Sequence, residues 1–244
     1  MLLHNKKGIS GPEFLVAILL VIISFMIGFA IISSFVSEMK PEEARAICRT
    51  SVAARAKAVI RGAGSEVHLT PFLCKEFKVT INAKGMKREE FLHKFMKYAV
   101  NTWKDFGEGQ YAGIDNLYLG ISGGNACYTY YTVMVEGLDE KISQTQLVAF
   151  LTSNNLPGTN ITYFDYFEAK PSGHIFFLDD IEDRNIYRII FASVSLKIPG
   201  SFESYWHNVL YIANANRREI TTSTTSFAGI TLYSSPCTFV HGIG

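Results

Sequence analysis

The sequence predicts an α+β protein: an N-terminal transmembrane helix, a helical stalk, then a mixed domain of antiparallel sheet and packed helices. Three observations carry this prediction. Phe14 to Val36 is a run of 23 residues with no charge and no proline. Met86 to Phe106 repeats its apolar residues at helical spacing, with Phe91, Leu92, Phe95, Met96, Ala99, Val100, Trp103 and Phe106 on one stripe. Asn125 to Val135 is rich in Tyr, Thr and Val and follows the turn Ser122-Gly123-Gly124, as a strand does.

The apolar run sets the organisation. A bilayer core of about 30 Å takes roughly 20 helical residues, so residues 14–36 are expected to span a membrane. Residues 1–13 form a basic tail, 37–62 a helical stalk, and 63–244 an extracytoplasmic domain. The 244 residues carry a net charge of +1, which gives no basic field for nucleic acid. Composition is globular, with 48% apolar and 18% charged residues.

The tail reads MLLHNKKGISGPEF. Lys6 and Lys7 precede Gly8, then come Ile9, Ser10 and Glu13. This resembles the class III signal of archaeal type IV pilin-like proteins. The resemblance implies cleavage after Gly8 by a prepilin peptidase, leaving Ile9 first and Glu13 fifth. It also implies that Glu13 neutralises the terminal amine of a neighbouring subunit, since an unpaired charge beside hydrocarbon is costly. The other reading is an uncleaved signal anchor with Glu13 a polar residue at the membrane interface. A conventional signal peptide fits less well, because the apolar run exceeds an ordinary h-region and no A-x-A site follows. Inside the run, Ser24 and Gly28 form a small-xxx-small pair.

Orientation is contested by charge. Lys6 and Lys7 flank one end, and Lys40, Arg45, Arg49 and Arg55 the other. Counted literally, that favours a cytoplasmic C-terminal domain. Large domains nevertheless cross with little regard to charge, and a short basic tail usually stays inside. The expected location is therefore the cytoplasmic membrane, single-pass, with the C-terminal domain outside and membrane lipid as a partner. The sequon Asn160-Ile161-Thr162 makes Asn160 a glycosylation candidate in that setting.

Beyond the span, Pro41-Glu42-Glu43 starts a helix well, with acids at the positive end of its dipole. Ala44, Ile47, Cys48, Val52, Ala56, Val59 and Ile60 recur at three and four, leaving Arg45, Arg49, Arg55, Lys57 and Arg61 on a basic, solvated side. Val67 to Ile81 reads as one or two strands broken at Pro71. Gly107, Gly109 and Gly113 follow a helix and not a strand, so they terminate it and do not cradle a dinucleotide. Ser143 caps a helix from Gln144 to Leu151, and Thr159 to Ala169 is a short amphipathic piece. His174 to Leu178 and Ile186 to Ile198 are expected to pair antiparallel across Asp179-Asp180-Ile181-Glu182-Asp183. That loop offers carboxylates but no EF-hand spacing, and reads as a solvated turn. Tyr205 to Ala213 and Phe227 to Tyr233 supply further strand.

Cys48, Cys74, Cys127 and Cys237 show no C-x-x-C spacing, so metal and redox readings are weak and structural disulfides are expected. Any of three pairings satisfies four cysteines. Cys48-Arg49-Thr50-Ser51-Val52, Phe72-Leu73-Cys74-Lys75, Thr102-Trp103-Lys104-Asp105-Phe106-Gly107-Glu108-Gly109, Cys127-Tyr128-Thr129-Tyr130 and Thr162-Tyr163-Phe164-Asp165-Tyr166-Phe167 resemble a group of uncharacterised single-span membrane proteins of small-genome archaea. In that group a cysteine often precedes the tryptophan and a C-x-x-C often lies on the later strand. Thr102 and Tyr130 occupy those places here. If the two absent cysteines are partners, the resemblance implies Cys48 with Cys74 and Cys127 with Cys237. It implies no activity.

No catalytic, cofactor or metal residues stand out. His68, His93, His174, His207 and His241 lie in no H-E-x-x-H spacing, and no G-x-S-x-G occurs. The expected function is non-enzymatic: a membrane-anchored cell-envelope protein with an external disulfide-braced domain. Pilin-like self-assembly or association with other envelope proteins follows from the leader, with no nucleic acid and no cofactor. The alternative is a tethered ligand-binding receptor or ectoenzyme.

Overall fold

The computed structural model describes residues 11–57, 59–62, 65–68, 73–111, 126–168, 173–197, 204–216, 225–227, 230–232 and 238–240, with some side chains inside those helices and strands left undescribed. The chain divides into two compact units, Met1–Met39 and Lys40–Gly244.

The described part of the first unit is the helix α1 (Gly11–Glu38). Here the expectation of a membrane span over Phe14 to Val36 is corrected. Among the described residues no helix is long and apolar enough to cross a membrane. The single-pass location argued from that span falls with it.

The second unit is α+β, as expected. It opens with α2 (Pro41–Lys57), which the sequence presents as a stalk. It is no stalk: Ala44, Cys48, Ser51, Val52 and Arg55 are buried along one face, the i, i+4, i+7, i+8 and i+11 positions of a helix packed against a core. After α2 come the hairpin strands β1 (Val59–Gly62) and β2 (Ser65–His68), where helix was expected up to Gly62. Then follow β3 (Phe77–Asn82) and α3 (Arg88–Asp105). α3 buries Phe91, Phe95, Met96, Ala99 and Trp103, the stripe seen in the sequence.

Among the described residues the central sheet has six strands. β4 (Ala126–Glu136) takes β10 (Thr238–Val240) and β3 end to end along one edge, both parallel to it. Its other edge pairs antiparallel with β6 (Ile186–Lys197). β6 pairs antiparallel with β7 (Ser204–Asn214), and β7 pairs parallel with the edge strand β5 (Gly173–Phe177). So β5 and β6 are not the antiparallel pair expected; β7 lies between them. The connecting loop is drawn aside at Ile181, which exchanges two 2.8 Å backbone hydrogen bonds with Ile142. Ile142 and Ile181 are both fully buried, so this bridge holds the loop away from a hairpin return.

The helices α4 (Gln144–Ser153) and α5 (Tyr163–Glu168) complete the unit with the small hairpin β8 (Thr225–Phe227) and β9 (Ile230–Leu232). Ser143 caps α4 as predicted, in a reciprocal capping box with Gln146. The core lies between α3 and the face of β4 and β6. There Phe106 stacks on Phe191 at 4.4 Å and Trp103 meets Phe167 at 6.1 Å.

Candidate ligand cleft

The site is built where α2, the end of α3 and β4 meet. Arg45 and Arg49 stand one turn apart on α2, so both side chains reach the same neighbour. That neighbour is Asp105, the last residue of α3, whose side chain has no solvent exposure. Arg45 donates from Nε to Oδ2 at 2.6 Å and from Nη2 to Oδ1 at 3.3 Å. Arg49 donates from Nη2 to Oδ1 at 2.7 Å, and the Tyr130 hydroxyl donates to Oδ2 at 3.0 Å. A buried carboxylate is tolerable only with partners of this kind.

Tyr130 reaches Asp105 because β4 carries a bulge. The register with β6 shifts between Thr129 and Tyr131, which leaves Tyr130 without a cross-strand partner. Tyr130 and Tyr131 then both meet residues of α3, Asp105 and Tyr98 respectively. Burial pushes the Tyr130 hydroxyl far above the phenol range, and the Asp105 charge adds to it. Tyr131 is pushed up to about 12, chiefly by burial. Burial opposes the charge on Arg45, but the hydrogen bond and charge of Asp105 outweigh it and raise its pKa.

α3 ends in a Schellman motif. Gly107 N–H donates to Lys104 O at 3.2 Å, and Glu108 N–H to Trp103 O at 2.9 Å. Gly107, Glu108 and Gly109 all have positive φ, at 86°, 53° and 73°. Glycine adopts this readily, whereas Glu108 is an L-residue held in the left-handed region at a cost of roughly 1–2 kcal/mol. Its Oε1 accepts the Tyr166 hydroxyl at 2.9 Å. Tyr111 folds back over Gly107, and Asn208 Nδ2 fixes its carbonyl at 3.0 Å.

This turn and α2 border an open cleft of about 220 Å³ lined by Arg49, Ala53, Lys104, Gly107, Glu108, Gln110 and Tyr111. It presents a guanidinium, an ammonium, a carboxylate, an amide and a phenol on one small surface. The sequence reading missed it. The sequence pattern puts Arg45 and Arg49 on a solvated side, and Asp105 and Glu108 lie too far along the chain to be linked to them by spacing. The glycines were correctly read as helix termination.

The residues singled out in the sequence lie elsewhere or have other roles. Cys48 and Cys74 are joined in a buried disulfide, the pairing the second resemblance implied. Cys127 is also disulfide-bonded, and Cys237 lies outside the described residues. Gly8 and Ile9 lie outside them too; Glu13 is within α1 but its side chain is not described. Asn160 is exposed in the loop between α4 and α5, while Thr162 of the same sequon bonds Asp165 at 2.7 Å and caps α5. His93 packs against Phe150 at 5.0 Å, and its Nδ1 lies 2.9 Å from the Tyr163 hydroxyl.

The acidic loop is consumed structurally. Asp179 accepts Asn214 N–H at 2.8 Å, Asp180 accepts Gln144 N–H at 2.8 Å, and Asp183 accepts Leu138 N–H at 3.1 Å. Lys141 Nζ bridges Asp180 and Glu182 at 2.9 Å each. Among the described residues no group of three or more His, Cys, Asp or Glu side chains is placed to hold a metal ion. The chain matches no family model, no curated protein and no solved structure.

Proposed function

We propose that this is a non-enzymatic display protein, in which α1 assembles with copies of itself and carries the disulfide-braced α+β unit. One observation carries the reading. Every large apolar side chain described on α1 is exposed, from Leu15 at 67% to Ile31 at 65%. These residues fall on all sides of the helix. A helix apolar all round is stable only when surrounded, so one stripe against one partner does not suffice, and several neighbouring helices do. A Cβ at Gly28 would meet nothing within 4 Å, which leaves the Ser24 and Gly28 face open to close approach of another helix. The pilin-like leader motif of Gly8, Ile9 and Glu13 supports the same reading.

Analytical ultracentrifugation of the full chain tests it. The wild type is expected to sediment as assemblies, and a Leu19→Asp/Ile23→Asp variant as a monomer with the same circular dichroism for its α+β unit. A wild type that stays monomeric at high concentration overturns the proposal.

A further inference from the structure

We propose, beyond the assembly reading, that the cleft between α2 and the Schellman turn of α3 binds a small monocarboxylate that also carries a hydroxyl or ammonium group. Charge sets the sign of the ligand. Arg45, Arg49 and Asp105 leave one positive charge, and Lys104 and Glu108 cancel, so the site has a surplus of one cation. Only Nη2 of Arg49 is committed to Asp105, and Nε and Nη1 have no partner among the described residues. The Lys104 ammonium likewise has none there. A guanidinium with free donors beside an ammonium matches a carboxylate, whose two oxygens accept together. The carbonyls of Thr102, Trp103 and Lys104 at the end of α3 are taken by the amides of Phe106, Glu108 and Gly107, so they do not offset these donors.

Glu108 sets the second requirement. Tyr166 occupies its Oε1, which leaves Oε2 to accept a ligand donor. The same carboxylate repels a second negative charge, which disfavours phosphate and sulfate. The backbone strain at Glu108, with φ at 53°, is the kind of local cost that persists where a side chain must be presented at a fixed place. Gly107 and Gly109 on either side let the turn close tightly enough to do so. The volume of about 220 Å³ lies below the range of roughly 300–1,000 Å³ typical of drug-sized pockets, so the ligand is a molecule of few heavy atoms.

Isothermal titration of the full chain with lactate, alanine, propionate and sulfate tests the assignment. Lactate or alanine is expected to bind saturably. Propionate, which lacks the donor, is expected to bind about tenfold more weakly, the size of one charge-assisted hydrogen bond. Lys104→Gln, at an exposed side chain, is expected to weaken every carboxylate about tenfold. Glu108→Gln is expected to narrow the gap between lactate or alanine and propionate, with propionate binding more tightly because the repelling charge is gone. Circular dichroism confirms that both variants fold. Absence of saturable binding by lactate and alanine overturns the proposal. So does sulfate binding as tightly as they do, or unchanged affinity in Lys104→Gln.

Discussion

Arg45 Nε lies 2.6 Å from Oδ2 of Asp105, a carboxylate with no exposure of its own. With Arg49 and Tyr130 on the same carboxylate, this contact fastens α2 to the end of α3 and to β4. Removing one partner of a buried ion pair leaves the other uncompensated, which costs about 3–5 kcal/mol. Asp105→Ala is therefore expected to lower the urea midpoint strongly. Combining Arg45→Met with Asp105→Asn should cost less than the sum of the two single changes, because the same interaction is lost twice. A loss below about 1 kcal/mol for Asp105→Ala would place this cluster with surface ion pairs, which are worth little.

The disulfide Cys48–Cys74 fastens α2 a second time, to the segment ahead of β3. It closes a separation of 26 residues, for which loop entropy gives about 3.5 kcal/mol. Ser51 Oγ accepts Leu73 N–H at 3.1 Å, and the Tyr128 hydroxyl donates to the Cys74 carbonyl. The Cys48→Ala/Cys74→Ala variant is expected to remain folded at low temperature but to lose about 2–4 kcal/mol. Amide exchange should rise first in α2 and in residues 73–76. Uniform acceleration across the sheet instead would show that the bridge acts on the whole unit.

Base should unfold this protein. Tyr131 is pushed up to about 12 by burial, above its ordinary 10.0. Tyr128, Tyr130 and Tyr166 are also raised, burial again being the main cause. A raised folded pKa means the neutral phenol is favoured in the native state. Its contribution is fully present below about pH 10 and is lost as pH rises through about 12. For Tyr131 this amounts to about 3 kcal/mol. Phenol ionisation followed by ultraviolet absorbance should coincide with loss of circular dichroism across that window. Smooth titration of all tyrosines near pH 10 with the fold intact would contradict it.

Much of the second unit was legible because local signals and burial agree there. The α3 stripe, the strand β4, the Ser143 cap and the glycine stop after Phe106 each depend on near neighbours in the chain. What was not legible depends on distant pairings. Asp105 follows Arg45 by 60 residues, so nothing in spacing announces that a helix with four basic residues turns two of them into its own fold. Tyr130 was hidden by the bulge, since strict alternation sends it and Tyr131 to opposite faces. The β5, β7 and β6 order was missed because Ile181, read as part of a solvated turn, is a buried anchor on Ile142. The apolar run over Phe14 to Val36 suggests a span by its length, but among the described residues no helix is long and apolar enough to cross a membrane.

Gly107 and Gly158 separate backbone strain from side-chain crowding. Both have positive φ, at 86° and 78°. A Cβ at Gly158 would meet nothing within 4 Å, whereas a Cβ at Gly107 would lie 2.4 Å from a ring carbon of Tyr111. Gly158→Ala should therefore cost only the left-handed conformation, about 1–2 kcal/mol. Gly107→Ala adds overpacking on the order of 1–3 kcal/mol, relieved only if the Tyr111 ring swings out of the cleft. Thermal melts of the two variants, with the Tyr111 ring signals followed by NMR, distinguish these outcomes. A larger loss for Gly107→Ala with shifted Tyr111 resonances is expected. Equal losses with unshifted Tyr111 would show that the ring does not hold the turn closed.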